Sequence, residues 1–210
     1  MKFLDQLAKD ILQKGHDPKN LTVLLPSERA KRYLLNALLN ANNGPLISPH
    51  ILTIDQWVAA LCPQQIMHPT KALLELYKIY QNTLKEEALS FEDYLTWGPI
   101  LLSDFDDVDR YLVDHQQLYK NLASIKALES WQIDEENYSA SQKKFMLFWE
   151  LIPQLHEGLQ QRFKALKGCS KAQAYRQLAE NPTQYLDDNM HYLFVGFNAL
   201  SAAEQRIIKF

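Results

Sequence analysis

The stretch SDFDDVDRYLVD, Ser103 to Asp114, places Asp104, Asp106, Asp107 and Asp109 close together and invites a metal reading. An EF-hand loop would need an oxygen ligand where Val108 stands and a glycine where Asp109 stands, so the calcium template fails. On a helix, Leu101, Phe105, Val108 and Leu112 share the inner stripe, and the four aspartates spread over its flanks and outer face. They do not converge on one ion. Asp106 and Arg110, four residues apart, make a stabilising helical pair instead.

Other chemistry-bearing types are scattered. The six histidines lie far apart, and His156-Glu157 lacks the second histidine of H-E-x-x-H. Cys62 and Cys169 form no C-x-x-C pair and read as free thiols in a reducing compartment. No G-x-S-x-G occurs. The glycines at 15, 44, 98, 158, 168 and 196 never take the spacing of a P-loop or of G-x-G-x-x-G, whose close glycines let backbone N–H groups wrap a phosphate. No cofactor is expected.

Charge is informative only locally. The net charge of -3 excludes a globally basic nucleic-acid binder. Between Leu84 and Tyr138, however, there are 13 acids against 4 Lys and Arg, whereas Ser139 to Arg176 has 7 Lys and Arg against 2 acids. Lys143, Lys144, Arg162, Lys164, Lys167, Lys171 and Arg176 could line a groove for phosphates, or simply solubilise helices.

The elements that would position these residues can be read from periodicity. Leu4, Leu7, Ala8, Ile11 and Leu12 mark one face of an opening helix, with Gly15 as its cap. LTVLL, Leu21 to Leu25, reads as a strand buried on both faces. Ser27 caps the next helix, whose inner face is Ala30, Leu34, Ala37, Leu38 and Ala41. LIS, residues 46 to 48, is a second short strand, and Thr53 with Gln56 forms a capping box. From Cys62 to Asp187 the pattern is helical without a strand, with starts at Thr70, Ser90, Pro99, Asp114 and Ser141. The longest helix carries Phe145, Phe148, Trp149, Ile152, Leu155, Leu159, Phe163 and Leu166 on one face. Pro153 should kink it and Gly168 end it. A last strand, Tyr192 to Val195, leads through Gly196 to a helix boxed by Ser201 and Glu204.

The expected architecture is an α/β fold, predominantly helical, with a small parallel sheet and a large all-helical insertion. Residues 1–62 and 188–210 would form the sheet-bearing core and 63–187 the insertion. Asp5, Lys9 and Asp10 interrupt what would be an apolar signal core, and no run approaches the length of a membrane helix. A cytoplasmic location without membrane partners is expected.

Three segments together, LTVLLPSERAKRYLLNAL, WGPILLSDFDDVDRYLVDHQQLYKNL and LFVGFNALSAAEQRIIKF, resemble the N-terminal region of AddB-like proteins of the PD-(D/E)XK nuclease family. The resemblance spans nearly all 210 residues. It implies part of a helicase-nuclease subunit that processes double-stranded DNA ends for recombinational repair, with a superfamily 1 helicase-like core that has lost its ATPase. Its partners would be DNA, a motor helicase-nuclease subunit and the rest of a longer chain carrying the nuclease. Ser27, Arg29 and Lys31 match polar positions near a motif that contacts single-stranded DNA. Lys164, Lys167 and Lys171 are the further DNA-contact candidates, taken from the basic segment.

On the same resemblance, LFVGFNALSAAEQ stands where a motor would carry its Walker B acids. An active motor needs an Asp-Glu pair there to hold Mg²⁺ and orient the attacking water, and Gly196 and Phe197 occupy the place. The nuclease signature needs an acid and then an Asp or Glu, one residue and a lysine; the acids at Asp187 lack that lysine. The expectation is a catalytically silent module that channels DNA and scaffolds a motor partner. The competing reading is a purely structural helical module that binds protein and not DNA. Because the last helix carries Ala203, Ile207, Ile208 and Phe210 without a C-terminal cap, the chain is expected to be a piece of a longer protein.

Overall fold

The computed structural model describes residues 3–14, 17–42, 44–130 and 140–210, with side chains throughout except at 123–130 and 140–147. Gly15 lies outside the described residues, as do the side chains of Lys143, Lys144 and Phe145. In chain order the elements are α1 (Phe3–Gln13), β1 (Leu21–Leu25), α2 (Glu28–Ala41), β2 (His50–Thr53), α3 (Ile54–Leu61), β3 (Gln65–Ile66), α4 (Pro69–Leu84), α5 (Phe91–Tyr94), α6 (Gly98–Arg110), α7 (His115–Ser130), α8 (Ala140–Ala165), β4 (Gly168–Cys169), α9 (Lys171–Glu180), α10 (Pro182–Tyr185), β5 (His191–Phe194) and α11 (Ala202–Ile208). The protein is predominantly helical. It divides into two compact units, Met1–Pro63 with Gln177–Phe210, and Gln64–Arg176.

The first unit is built on a parallel sheet of order β2-β1-β5. Val23 of β1 stands opposite Ile51 on one side and Leu193 on the other. All five residues of β1 are buried, as a continuous apolar run in a central parallel strand requires. Leu21, Val23, Leu25, Ile51 and Val195 pack with Ala8 of α1 and Leu34, Ala37 and Leu38 of α2. The alternate residues of β5, Tyr192 and Phe194, meet Trp57 of α3 at 5.3 and 5.8 Å between ring centroids. Side chains alternate across a strand, so both faces of the sheet are covered. The expected strand at residues 46–48 is displaced: the strand begins at His50, after Pro49, which has no N–H for the ladder. Leu46 only packs against the core, and Ile47 is exposed.

The second unit is helical, with its core on α4, α6 and α8. Leu76, Tyr80, Tyr94, Leu101, Phe105, Leu155, Leu159 and Phe163 form one buried cluster. The expected absence of strands between Cys62 and Asp187 is overturned by a short parallel pair, with Ile66 opposite Cys169. Two residues on each strand are too few for a periodic signal. Gly168 opens β4 and does not cap α8; a Cβ there would meet Met67 Sδ at 2.7 Å and Gln65 O at 3.1 Å. The left-handed residue after α8 is Lys167, at φ 51. Helix α8 runs from Ala140 to Ala165 through Pro153. Leu112, expected on the inner stripe of α6, lies past its end at φ 56.

Candidate functional site

In open parallel sheets ligands bind beyond the carboxyl ends of the strands, where connections leave in opposite directions. In the order β2-β1-β5 that place lies between β1 and β5. Each of the three strands feeds a capped helix there. Ser27 Oγ accepts from Ala30 N at 3.3 Å and starts α2. Thr53 Oγ1 accepts from Gln56 N while Gln56 Oε1 accepts from Thr53 N, each at 3.2 Å. Ser201 N donates to Glu204 Oε2 at 2.7 Å and Ser201 Oγ accepts from Glu204 N at 3.3 Å. All three caps were legible in the sequence because the Ser/Thr side chain and its partner lie three residues apart.

Three of the DNA-contact candidates belong to this unit. Ser27 is exposed and engaged as a cap. Arg29 is exposed, its guanidinium 5.6 Å from the centroid of the Tyr33 ring. Lys31 is half-buried, and its Nζ donates to Gln56 Oε1 at 3.2 Å, tying the first turn of α2 to the box of α3. Sequence reasoning missed that tie, because nothing in either segment signals a contact 25 residues away. After β5, Val195 N still donates to Leu24 O at 2.9 Å, and the chain then bends at Gly196, φ 76, with open space where a Cβ would stand. Phe197 comes next, half-buried, its ring 6.3 Å from that of Phe194. The acids near these ends, Glu28, Asp55 and Glu204, stand in first helical turns, where carboxylates stabilise the N-terminus. Asp187 makes a turn before β5, accepting from Asn189 N at 2.9 Å.

Lys164, Lys167 and Lys171 belong to the helical unit and are exposed in the α8–β4–α9 turn. The structure therefore distributes the six candidates over two units, three in each. Two further cations of the basic segment, Arg162 and Arg176, pair with acids. Arg162 Nε donates to Glu75 Oε2 at 2.6 Å, and Arg176 Nε lies 3.3 Å from Asp109 Oδ1, with its Nη2 donating to the carbonyls of Val108 at 3.3 Å and Val113 at 2.5 Å. These two arginines are consumed by internal pairing.

The acidic run is likewise corrected at one position. Asp109, expected on the solvated side of α6, is buried at 3% exposure and held by Arg176. Asp106 is half-buried and accepts from Ser170 Oγ at 2.7 Å; burial pushes its carboxyl up, against the lowering effects of that hydrogen bond and of Arg110. Arg110 itself lies over the Tyr175 ring at 4.6 Å. Among the described residues no group of three or more His, Cys, Asp or Glu could hold a metal ion. No described helix is long and apolar enough to cross a membrane. No family model matches the chain, and no curated protein matches it.

Proposed function

We propose that the chain is a non-catalytic, helicase-like α/β module of an AddB-like helicase-nuclease subunit, which guides DNA and scaffolds a motor partner during double-strand-break end processing. One observation carries this reading. Three parallel strands each feed a capped helix, yet the turn after β5 offers Gly196 and Phe197 where a motor would hold its paired acids. A frame of that kind retains the strand-to-helix geometry of nucleotide motors without groups to bind Mg²⁺ or orient water.

The DNA role rests on cations that have no carboxylate partner among the described residues. Arg29 is exposed at the carboxyl edge of the sheet, and Lys164 and Lys167 are exposed on the helical unit. Single-strand binding through such groups needs positive charge along a path and is strongly salt-dependent. Fluorescence anisotropy with a labelled single-stranded oligonucleotide, over a salt series, tests it. Binding that weakens linearly with log salt supports the module, and no binding at low salt refutes its DNA role.

A second reading, a protein-binding helical module without DNA contact, draws on the exposed apolar side chains of the helical unit. Ile100 is 62% exposed, Tyr111 58% and Leu95 42%. Such residues are ordinary when scattered, and mark an interface when contiguous. Salt-insensitive capture of a motor subunit by a protein that ignores DNA would select this reading.

A further inference from the structure

A cavity of about 440 Å³ opens in the helical unit, lined by Tyr80, Leu84, Leu89, Trp97, Phe148 and Leu151. Its size is that of a small-molecule pocket. Trp97 stands at the centre of its aromatic wall: the Tyr80 ring lies 5.1 Å away at 74° and the Phe148 ring 5.1 Å away at 85°. Among the described residues, Glu87 brings the one carboxylate to this lining. It is exposed and makes no hydrogen bond or ion pair among the described residues.

Glu87 reaches that position through a strained strap. Lys85, directly after α4, adopts φ 51 and ψ -115, a conformation that side chains other than glycine rarely take. Two tyrosines of α4 hold the far end of the strap at Leu89. Leu89 N donates to Tyr80 Oη at 3.2 Å, and Tyr77 Oη donates to Leu89 O at 3.2 Å. Both backbone groups of one residue are thus pinned by side chains from the neighbouring helix. Backbone strain that the surroundings over-determine is concentrated at ligand clamps and active sites. Here it sets Glu87 and Leu89 against the cavity.

We infer that this cavity is a binding site for a small organic cation, an ammonium group carried on an apolar body. The aliphatic and aromatic lining suits the body. The carboxylate of Glu87 in this otherwise apolar lining attracts a cation and repels an anion. The site shares no residue with the DNA-contact candidates, so it stands or falls apart from the proposed function.

The probe is trimethylphenylammonium, titrated into the whole chain and into E87Q, with phenylacetate as the anionic counterpart. The readout is the indole N–H resonance of Trp97, identified by its loss in W97F. Saturable movement with the cation and none with phenylacetate is expected, and E87Q, an exposed substitution, should weaken the cation about fivefold. An unmoved Trp97 resonance, equal binding of phenylacetate, or an affinity unchanged in E87Q would each overturn the inference.

Discussion

The Tyr119 hydroxyl lies 2.7 Å from Nδ1 of His156, and the histidine is 2% exposed. One neutral tautomer satisfies the ring: Nδ1–H donates to Tyr119 Oη, and Nε2 accepts from Gln160 Nε2 at 3.2 Å. The other face is packed on Phe105, ring centroids 4.3 Å apart. Helix α7 is thereby fastened to α8 through a group that must stay uncharged.

That requirement makes stability depend on pH. Burial, with repulsion from His115 and Arg176, pushes His156 down to about 4 from the ordinary histidine value. The unfolded chain then binds the proton more readily than the folded one between about pH 6.5 and 4, so stability rises with pH across that window. The stabilisation is complete above the window and falls by on the order of 2–3 kcal/mol through it. Urea midpoints at pH 7.5 and pH 5 should show the drop. In His156→Gln, which keeps a hydrogen-bonding side chain without a titrating ring, this component should vanish; an unchanged pH slope would contradict the assignment.

The Glu75–Arg162 pair gives the same sign, in the carboxylate range of pH. Glu75 is 6% exposed and accepts from Arg162 Nε and from Lys78 Nζ at 2.9 Å; the hydrogen bonds from Lys78 and then Arg162 hold its carboxyl below the usual range despite burial. Its contribution is present above the unfolded carboxylate value and is lost as pH falls through the folded one. Arg162 is itself 45% exposed, which discounts the pair. Truncating Arg162 to Ala still leaves a buried carboxylate with one partner fewer, at a cost of about 1–2 kcal/mol. Chemical denaturation at neutral pH measures it, and a loss much below this range would mean that Lys78 suffices.

For nucleotides the expectation comes from the turn after β5. With Gly196 and Phe197 there and no P-loop in the sequence, ATP with Mg²⁺ should give no micromolar isotherm by calorimetry. A clear isotherm would refute the reading of this frame as a silent motor.

The parts of the fold legible in the sequence are those encoded locally. β1 announced itself as LTVLL because a central parallel strand is apolar on both faces. The caps at Ser27, Thr53 and Ser201 were legible because cap and partner are three residues apart. The tie from Lys31 to Gln56, the burial of Asp109 by Arg176 and the β3–β4 pair depend on residues brought together by folding, so composition and periodicity carry no trace of them. The basic segment shows the same limit. Seven cations looked equivalent in the sequence, yet Arg162 and Arg176 each pair with an acid on another helix.

That sorting sharpens the test of DNA binding. Lys164, Lys167 and Lys171 are exposed within one turn region, so substituting all three by Ala leaves the helical core and both arginine pairs untouched. If they contact phosphates of a single strand, each lost contact should reduce the slope of log affinity against log salt by roughly 0.7, and the triple variant by about 2. Lys31→Ala is the informative comparison: it removes one cation but also the hydrogen bond to Gln56, so it should lower thermal stability as well as affinity. Anisotropy over a salt series, with a melting curve for each variant, separates the two effects. A triple variant with unaltered affinity and slope would remove the helical unit from the DNA path and favour the protein-binding reading.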